Sequence, residues 1–168
     1  IIISEERDYI TIATTRPETI FGDTAIAVHP RDQRYKDVIG KKVFLPLTNR
    51  VIPIISDNYP DPSFGSGAVK ITGAHDFNDY EVAKRHGLDL LVIMDKKAIF
   101  LDDPIIPKKF RKLDRFKVRK LAVEDLQEKN FIIKTEEKTI TQPVGDRSGV
   151  VIEPMLTDQW FVDTKKIV

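Results

Sequence analysis

Cysteine is absent from this 168-residue chain, which excludes a disulfide framework, a Cys-ligated metal and a thiol nucleophile. Histidine is scarce, and His29, His75 and His86 lie far apart without zinc-site spacing. No apolar run approaches the roughly 20 residues needed to span a membrane, and no signal peptide is visible. An excess of either charge is also lacking: 27 Lys and Arg stand against 26 Asp and Glu, so net charge points to no class of partner. What remains is 41% hydrophobic and 32% charged, the composition of an ordinary globular protein, long enough for one domain with a real core. The chain opens on Ile and strand-like residues, as a piece cut from a longer polypeptide would.

The densest chemistry lies in Gly65–Val82, GSGAVKITGAHDFNDYEV. A Gly-Ser-Gly turn feeds a short apolar strand, Ala68–Thr72, which breaks at Gly73 and restarts as a helix near Asp76. Asp76 is a natural N-cap, and Asp79 falls in the first helical turn on the same side. Orphan N–H groups and the helix dipole favour ionised carboxylates there. Lys70, Thr72, Asp76 and Asp79 therefore converge where a strand ends and a helix begins, a place suited to a small charged ligand. The same two aspartates also serve as an ordinary cap, and local sequence does not separate the readings.

Upstream, Asp8–Thr14 has a strand pattern and runs into TTRPET, Thr14–Thr19, where Pro17 biases Arg16 toward an extended conformation. Here Thr15 or Thr19 either caps a turn or supplies polar chemistry beside a core strand. Gly22-Asp23-Thr24 turns into a strand at Ala25–Val28. Strands are also expected at Val43–Leu47, Val51–Ser56, Leu88–Met94 and Phe131–Thr135, with Pro46 and Pro53 favouring edges or bulges. A short helical turn is expected around Arg34–Ile39, and helices over Asp76–His86, with Gly87 at C′, and through Val118–Leu126. Phe64 is either a loop anchor or a surface on which a base stacks. Lys108–Lys120 carries eight basic residues and one acid, giving a solvated face or a phosphate-contacting surface. Short strands mixed irregularly with two or three helices predict a mixed α/β domain, mostly antiparallel and closed into a β-barrel with peripheral helices.

Three stretches in fixed order, TTRPET with GDTAIAVHP (Thr14–Pro30), GSGAVKITGAHDFNDYEV, and GDRSGVVIEPMLTDQWFV (Gly145–Val162), resemble the editing (CP1) domain inserted in class I aminoacyl-tRNA synthetases. The similarity spans essentially the whole chain and is nearest to the valyl enzymes. Editing domains of the isoleucyl and leucyl enzymes fit less well. One departure is Gly73, where that family usually has proline.

The resemblance implies a single cytoplasmic editing domain, residues 1–168, excised from a synthetase. It would hydrolyse the ester of threonine wrongly joined to tRNA(Val) and spare valyl-tRNA(Val). Its partners would be the tRNA acceptor end carrying threonine and the rest of the synthetase, with no membrane, cofactor or metal. The family pattern further implies that Asp79 grips the substrate ammonium and that Lys70, Thr72 and Asp76 surround the threonine side chain. Arg16 and Phe64 would hold the terminal nucleotide, and Thr14 and Thr15 would line the place of water attack, making Thr14, Thr15 and Asp79 the catalytic set. The HIGH and KMSKS signatures are missing, so ATP binding and amino-acid activation are not expected of this segment. Two other classes remain open: a metal-dependent hydrolase using His75, Asp76 and Asp79, and a non-catalytic tRNA-binding module.

Overall fold

The computed structural model describes residues 9–137, 139–158, 160, 162 and 163. Asp8 of the first expected strand, and Gln159 and Phe161 of the closing motif, lie outside the described residues.

Four short strands, β1 (Ala25–Val28), β2 (Lys42–Phe44), β3 (Val51–Ser56) and β4 (Ala68–Ile71), form one sheet in the order β2-β3-β1-β4. Every residue of β1 is buried, as a central strand requires. It runs parallel to β3, with Ile26 opposite Ile54, and antiparallel to β4, with Ile26 opposite Lys70. Side-chain alternation sorts the sheet into two faces. Ala25, Ala27 and Ile71 pack with Val82 and Ala83 of helix α1 (Phe77–His86). Ile26, Val28, Ile54 and Ala68 join a larger core with Phe21, Phe100 and Phe110, closed by Val118 and Ala122 of helix α2 (Arg115–Glu128). The small alanines of β1 let α1 approach closely.

The mixed α/β class stands, but the barrel does not: among the described residues the sheet is open, with β2 and β4 at its edges. Among the described residues, the strands expected at Asp8–Thr14, Leu88–Met94 and Phe131–Thr135 form no ladder. In the second of these, the Ile93 N–H donates to the imidazole Nε2 of His75 instead of to a neighbouring strand. Only single bridges, Met94 to Phe100 and Ile99 to Asp114, remain around it. In the third, Phe131 N–H caps the end of α2 on the Leu126 carbonyl. Pro53 also corrects its expectation, because β3 is internal. Ile54 N–H points to the β2 side, at Lys41, so the Pro53 nitrogen faces β1, whose register begins only at Ile54. The missing donor falls where no ladder bond is needed.

Both helices start and stop for local reasons. Asp76 accepts from Asn78 N–H (2.9 Å) and Asp79 N–H (3.1 Å), and Gly87 at φ 61° closes α1 with Leu88 N–H reaching the Ala83 carbonyl. Asp114 caps α2 through Phe116 N–H. Between β4 and α1 sits Gly73. A Cβ there would lie 2.7 Å from both Ala83 Cβ and Leu90 Cδ2, so the joint is tight. Gly73→Ala is therefore expected to destabilise the fold by about 1–3 kcal/mol through overpacking. An unchanged melting temperature would contradict this reading.

Candidate functional site

Residues two apart on a strand share a face, so β4 and its exit place Lys70 and Thr72 together. Lys70 is buried on the larger-core face and its three N–H donors are all engaged. They reach Thr19 Oγ1 (2.7 Å), Asp23 Oδ1 (2.8 Å) and Thr72 Oγ1. The Thr72 hydroxyl donates to Asp23 Oδ1. Its backbone N–H donates to Asp79 Oδ2 at 2.8 Å, which ties the strand end to the first turn of α1.

Asp79 is buried. Burial raises its pKa to about 6; the Thr72 N–H and Lys70 pull it back, while Asp76 and Asp23 push the same way as burial. Asp76 uses Oδ1 as the helix cap. One carboxylate oxygen on each of these two aspartates makes no hydrogen bond within the described residues. Asp76 is thus the cap that the second sequence reading described, with an oxygen to spare.

His75 precedes them and is buried. Its Nε2 accepts from Ile93 N–H at 3.0 Å, so the ring is neutral with its proton on Nδ1. That proton faces the Pro154 backbone without closing a well-formed hydrogen bond. Burial, then the Arg16 and Lys70 cations, hold the His75 pKa down at about 4. With Nε2 engaged, His75 is a structural residue.

The TTRPET loop lies against this turn. Arg16 donates to the His75 carbonyl (2.8 Å) and is paired with Glu18 and Glu153. Thr14 Oγ1 accepts from Arg16 N–H, and both Thr14 and Thr15 are exposed. A Cβ on Gly65 would lie 3.6 Å from Ala13 Cβ, so the loop bearing Phe64 runs beside the same segment. Phe64 is 70% exposed, so it is not a buried anchor. The structure thus brings Lys70, Thr72, Asp76 and Asp79 into one bonded cluster, with Arg16 joined to the adjoining His75 carbonyl and Thr14 held by Arg16; Thr15 and Phe64 are exposed, on segments that approach each other at Ala13 and Gly65.

Several participants carry no local sequence signal. Asp23 is fully buried and receives both Lys70 and Thr72; the Gly-Asp-Thr turn signal concealed it. Glu18 is fully buried and takes two hydrogen bonds from Arg119 of α2, each 2.7 Å. Tyr59 lies close enough that its phenol pKa is raised by burial and then by Asp79 and Asp76. The basic segment is largely neutralised. Lys109 pairs with Asp125, Arg111 and Lys112 with Asp102, Arg115 with Glu153 and Arg119 with Glu18. Of its eight cations, Lys108, Lys117 and Lys120 are exposed without an ion pair among the described residues.

Among the described residues no three His, Asp or Glu side chains converge as metal ligands. No described helix is long and apolar enough to cross a membrane. An open concavity of about 580 Å³ is lined by Pro30, Ser56, Asp57, Asn58, Tyr59 and Arg85; Asp79 is not in that lining, though its charge acts on Tyr59.

Against known proteins, residues 33–111 match the family described as leucyl-tRNA synthetase, editing domain. The chain is 51% identical to the valine–tRNA ligase of Coxiella burnetii over 160 residues, 95% of this chain and 17% of that protein. It is 52% identical to that of Dechloromonas aromatica, over 98% of this chain and 17% of the relative. For Caulobacter vibrioides the identity is 53%, over 97% of this chain and 18% of the relative. The chain therefore spans under a fifth of the length of these relatives. The solved structure GlLeuRS-CP1 superposes with a TM-score of 0.55 at 14% identity, covering 74% of this chain and 83% of that one, which supports the fold.

Proposed function

This chain belongs to the class I aminoacyl-tRNA synthetase editing domains, on the valine–tRNA ligase branch, and on that premise we propose that it hydrolyses threonine mischarged onto tRNA(Val) while sparing valyl-tRNA(Val). The observation that carries the reading is the polarity of the wall at the start of α1. Lys70 has no N–H left to offer. The Thr72 hydroxyl has only a lone pair left, and Asp76 and Asp79 each keep one carboxylate oxygen. A ligand for this wall must bring donors. An aminoacyl ester of threonine brings two, its ammonium and its hydroxyl, whereas valine brings only the first. Valyl pockets are the well-known case in which a synthetic site rejects threonine too weakly and editing is needed.

In this reading Asp79 holds the ammonium through a charge-assisted contact, and the Thr72 lone pair and Asp76 receive the hydroxyl. Lys70 acts from behind as the support of Thr72. The ester is already activated, so a positioned water attacks it without a covalent nucleophile, beside Thr14 and Thr15. His75 takes no part as a base. Phe64 stacks on the terminal adenine, and Arg16 reaches the nucleotide by exchanging its Glu153 partner for phosphate. The rest of a longer synthetase chain and the tRNA acceptor end are the partners, in the cytoplasm. A tRNA-binding module without catalysis would rest on the basic segment, most of which is paired.

The test is the pH dependence of kcat/KM on threonyl-tRNA(Val). Because Asp79 must be ionised and its pKa is about 6, activity should fall about tenfold per unit below pH 6 and level off above it. A rate independent of pH between 5 and 7, or no hydrolysis of the ester, contradicts the proposal.

A further inference from the structure

We propose that Asp23 is a positioning residue of the editing site, acting through Thr72 to keep the wall beside Asp79 free of hydrogen-bond donors. The inference rests on the editing reading above and goes beyond it, to the residue that sets the polarity of the wall.

Asp23 sits between the 3₁₀ turn Pro17–Gly22 and β1. Its place is enforced from both sides. Arg50 donates to the Phe21 carbonyl (2.7 Å) and to the Asp23 carbonyl, and Thr24 N–H bonds the Ile71 carbonyl at 2.9 Å. The carboxylate then points at β4. Its Oδ1 accepts from Lys70 and from the Thr72 hydroxyl, while Oδ2 is buried with no partner. Leaving a carboxylate oxygen unsatisfied in the interior is costly. Burial raises the Asp23 pKa accordingly, opposed by Lys70 and Thr72. A residue retained only for stability would be poorly chosen for this position.

The protons of the cluster admit one arrangement. Lys70 can only donate, so in its contact with Thr72 the threonine oxygen accepts. Thr72 must then give its own proton to Asp23. Thr19 is likewise fixed, since its hydroxyl donates to the Arg16 carbonyl at 3.0 Å while accepting from Lys70. The outcome at the site is a Thr72 oxygen with one lone pair free and no proton to offer. The same residue holds Asp79 Oδ2 through its backbone N–H, so Asp23 reaches both the hydroxyl-recognising atom and the ammonium anchor through one neighbour. Without Asp23, the Thr72 hydroxyl rotates freely and Lys70 regains an N–H. The wall then offers donors as well as acceptors, and an oxygen or halogen that cannot donate is no longer excluded.

The experiment uses the full-length protein that carries this chain, as wild type and as Asp23→Ala. The substrates are tRNA(Val) esters of threonine, valine and 2-amino-3-fluorobutyrate, in which fluorine replaces the hydroxyl and cannot donate. For wild type the fluoro ester should be spared as valine is, at a rate within about threefold of the valyl rate and far below the threonyl rate. Asp23→Ala should narrow the threonyl-to-valyl ratio by about tenfold or more and raise the fluoro ester relative to valine. A merely structural role would lower all three rates in proportion, because loosened folding does not distinguish the side chains. A folded Asp23→Ala with the wild-type ratio overturns the proposal. So does wild type hydrolysing the fluoro ester within about threefold of threonine, and this arm stands even if the variant does not fold. A wild type idle on threonyl-tRNA(Val) would instead overturn the editing reading itself.

Discussion

Asp79→Asn is expected to abolish most threonyl-ester hydrolysis while making the protein more stable at neutral pH. Losing one partner of a buried charged contact costs about 2–5 kcal/mol, roughly 30- to 5,000-fold in kcat/KM. The fold should gain because Asp79 is held ionised against burial. Its pKa stands at about 6 against an ordinary 3.8, a penalty of about 3 kcal/mol above pH 6. A raised folded pKa favours the folded state at low pH and is lost as pH rises from about 4 to 6. The gain in Asp79→Asn, about 1–3 kcal/mol, should therefore be present at pH 7 and vanish near pH 4. His75 has the opposite sign. Its pKa lies near 4 against 6.5, so its contribution is present above pH 6.5 and lost as pH falls toward 4. The two largely offset each other in wild type, and the amide variant should expose the His75 limb as acid sensitivity. Denaturant melts of both proteins at pH 4, 5.5 and 7 measure this. A variant that loses activity and stability together at pH 7 would make Asp79 structural.

The second large effect lies in Glu18→Ala, which should destabilise the protein by about 3–5 kcal/mol. Glu18 is fully buried and receives Arg119 through two hydrogen bonds and Arg16 through a third. Removing it leaves the Arg119 guanidinium without its carboxylate, while Arg16 keeps Glu153 and the His75 carbonyl. For a domain of this size the loss corresponds to roughly 6–20 °C in melting temperature. Glu18→Gln, which keeps acceptors in place, should lose less. A change below about 1 kcal/mol in Glu18→Ala would mean that the network behaves as an exposed one.

These two residues mark what sequence could and could not disclose. Asp76, Asp79 and Gly87 were legible because caps and first-turn contacts act over two to four residues, and the structure places Asp76 and Gly87 in those roles. The pairs that build the back of the site join distant positions: Lys70 to Asp23 across 47 residues and Arg119 to Glu18 across 101. Nothing local in GDT or RPET announces them. For the same reason the basic run read as a surface, although Arg115 and Arg119 turn inward to carboxylates in other segments. The barrel expectation fails because extended, β-branched stretches need not pair as strands. Ile93 shows how such a stretch gives its N–H to a side chain instead. Pro53 favours an edge or a bulge, yet β3 is internal, because its nitrogen faces β1 where no ladder bond is needed.

Selection by a wall of acceptors favours an ester that can donate. Its most direct measurement is the wild-type protein incubated in parallel with threonyl-tRNA(Val) and valyl-tRNA(Val), with loss of each ester followed over time. The expected result is rapid loss of threonine and a valyl rate lower by at least about two orders of magnitude, as a site built to hydrogen-bond a hydroxyl requires. Comparable rates for the two esters would contradict it.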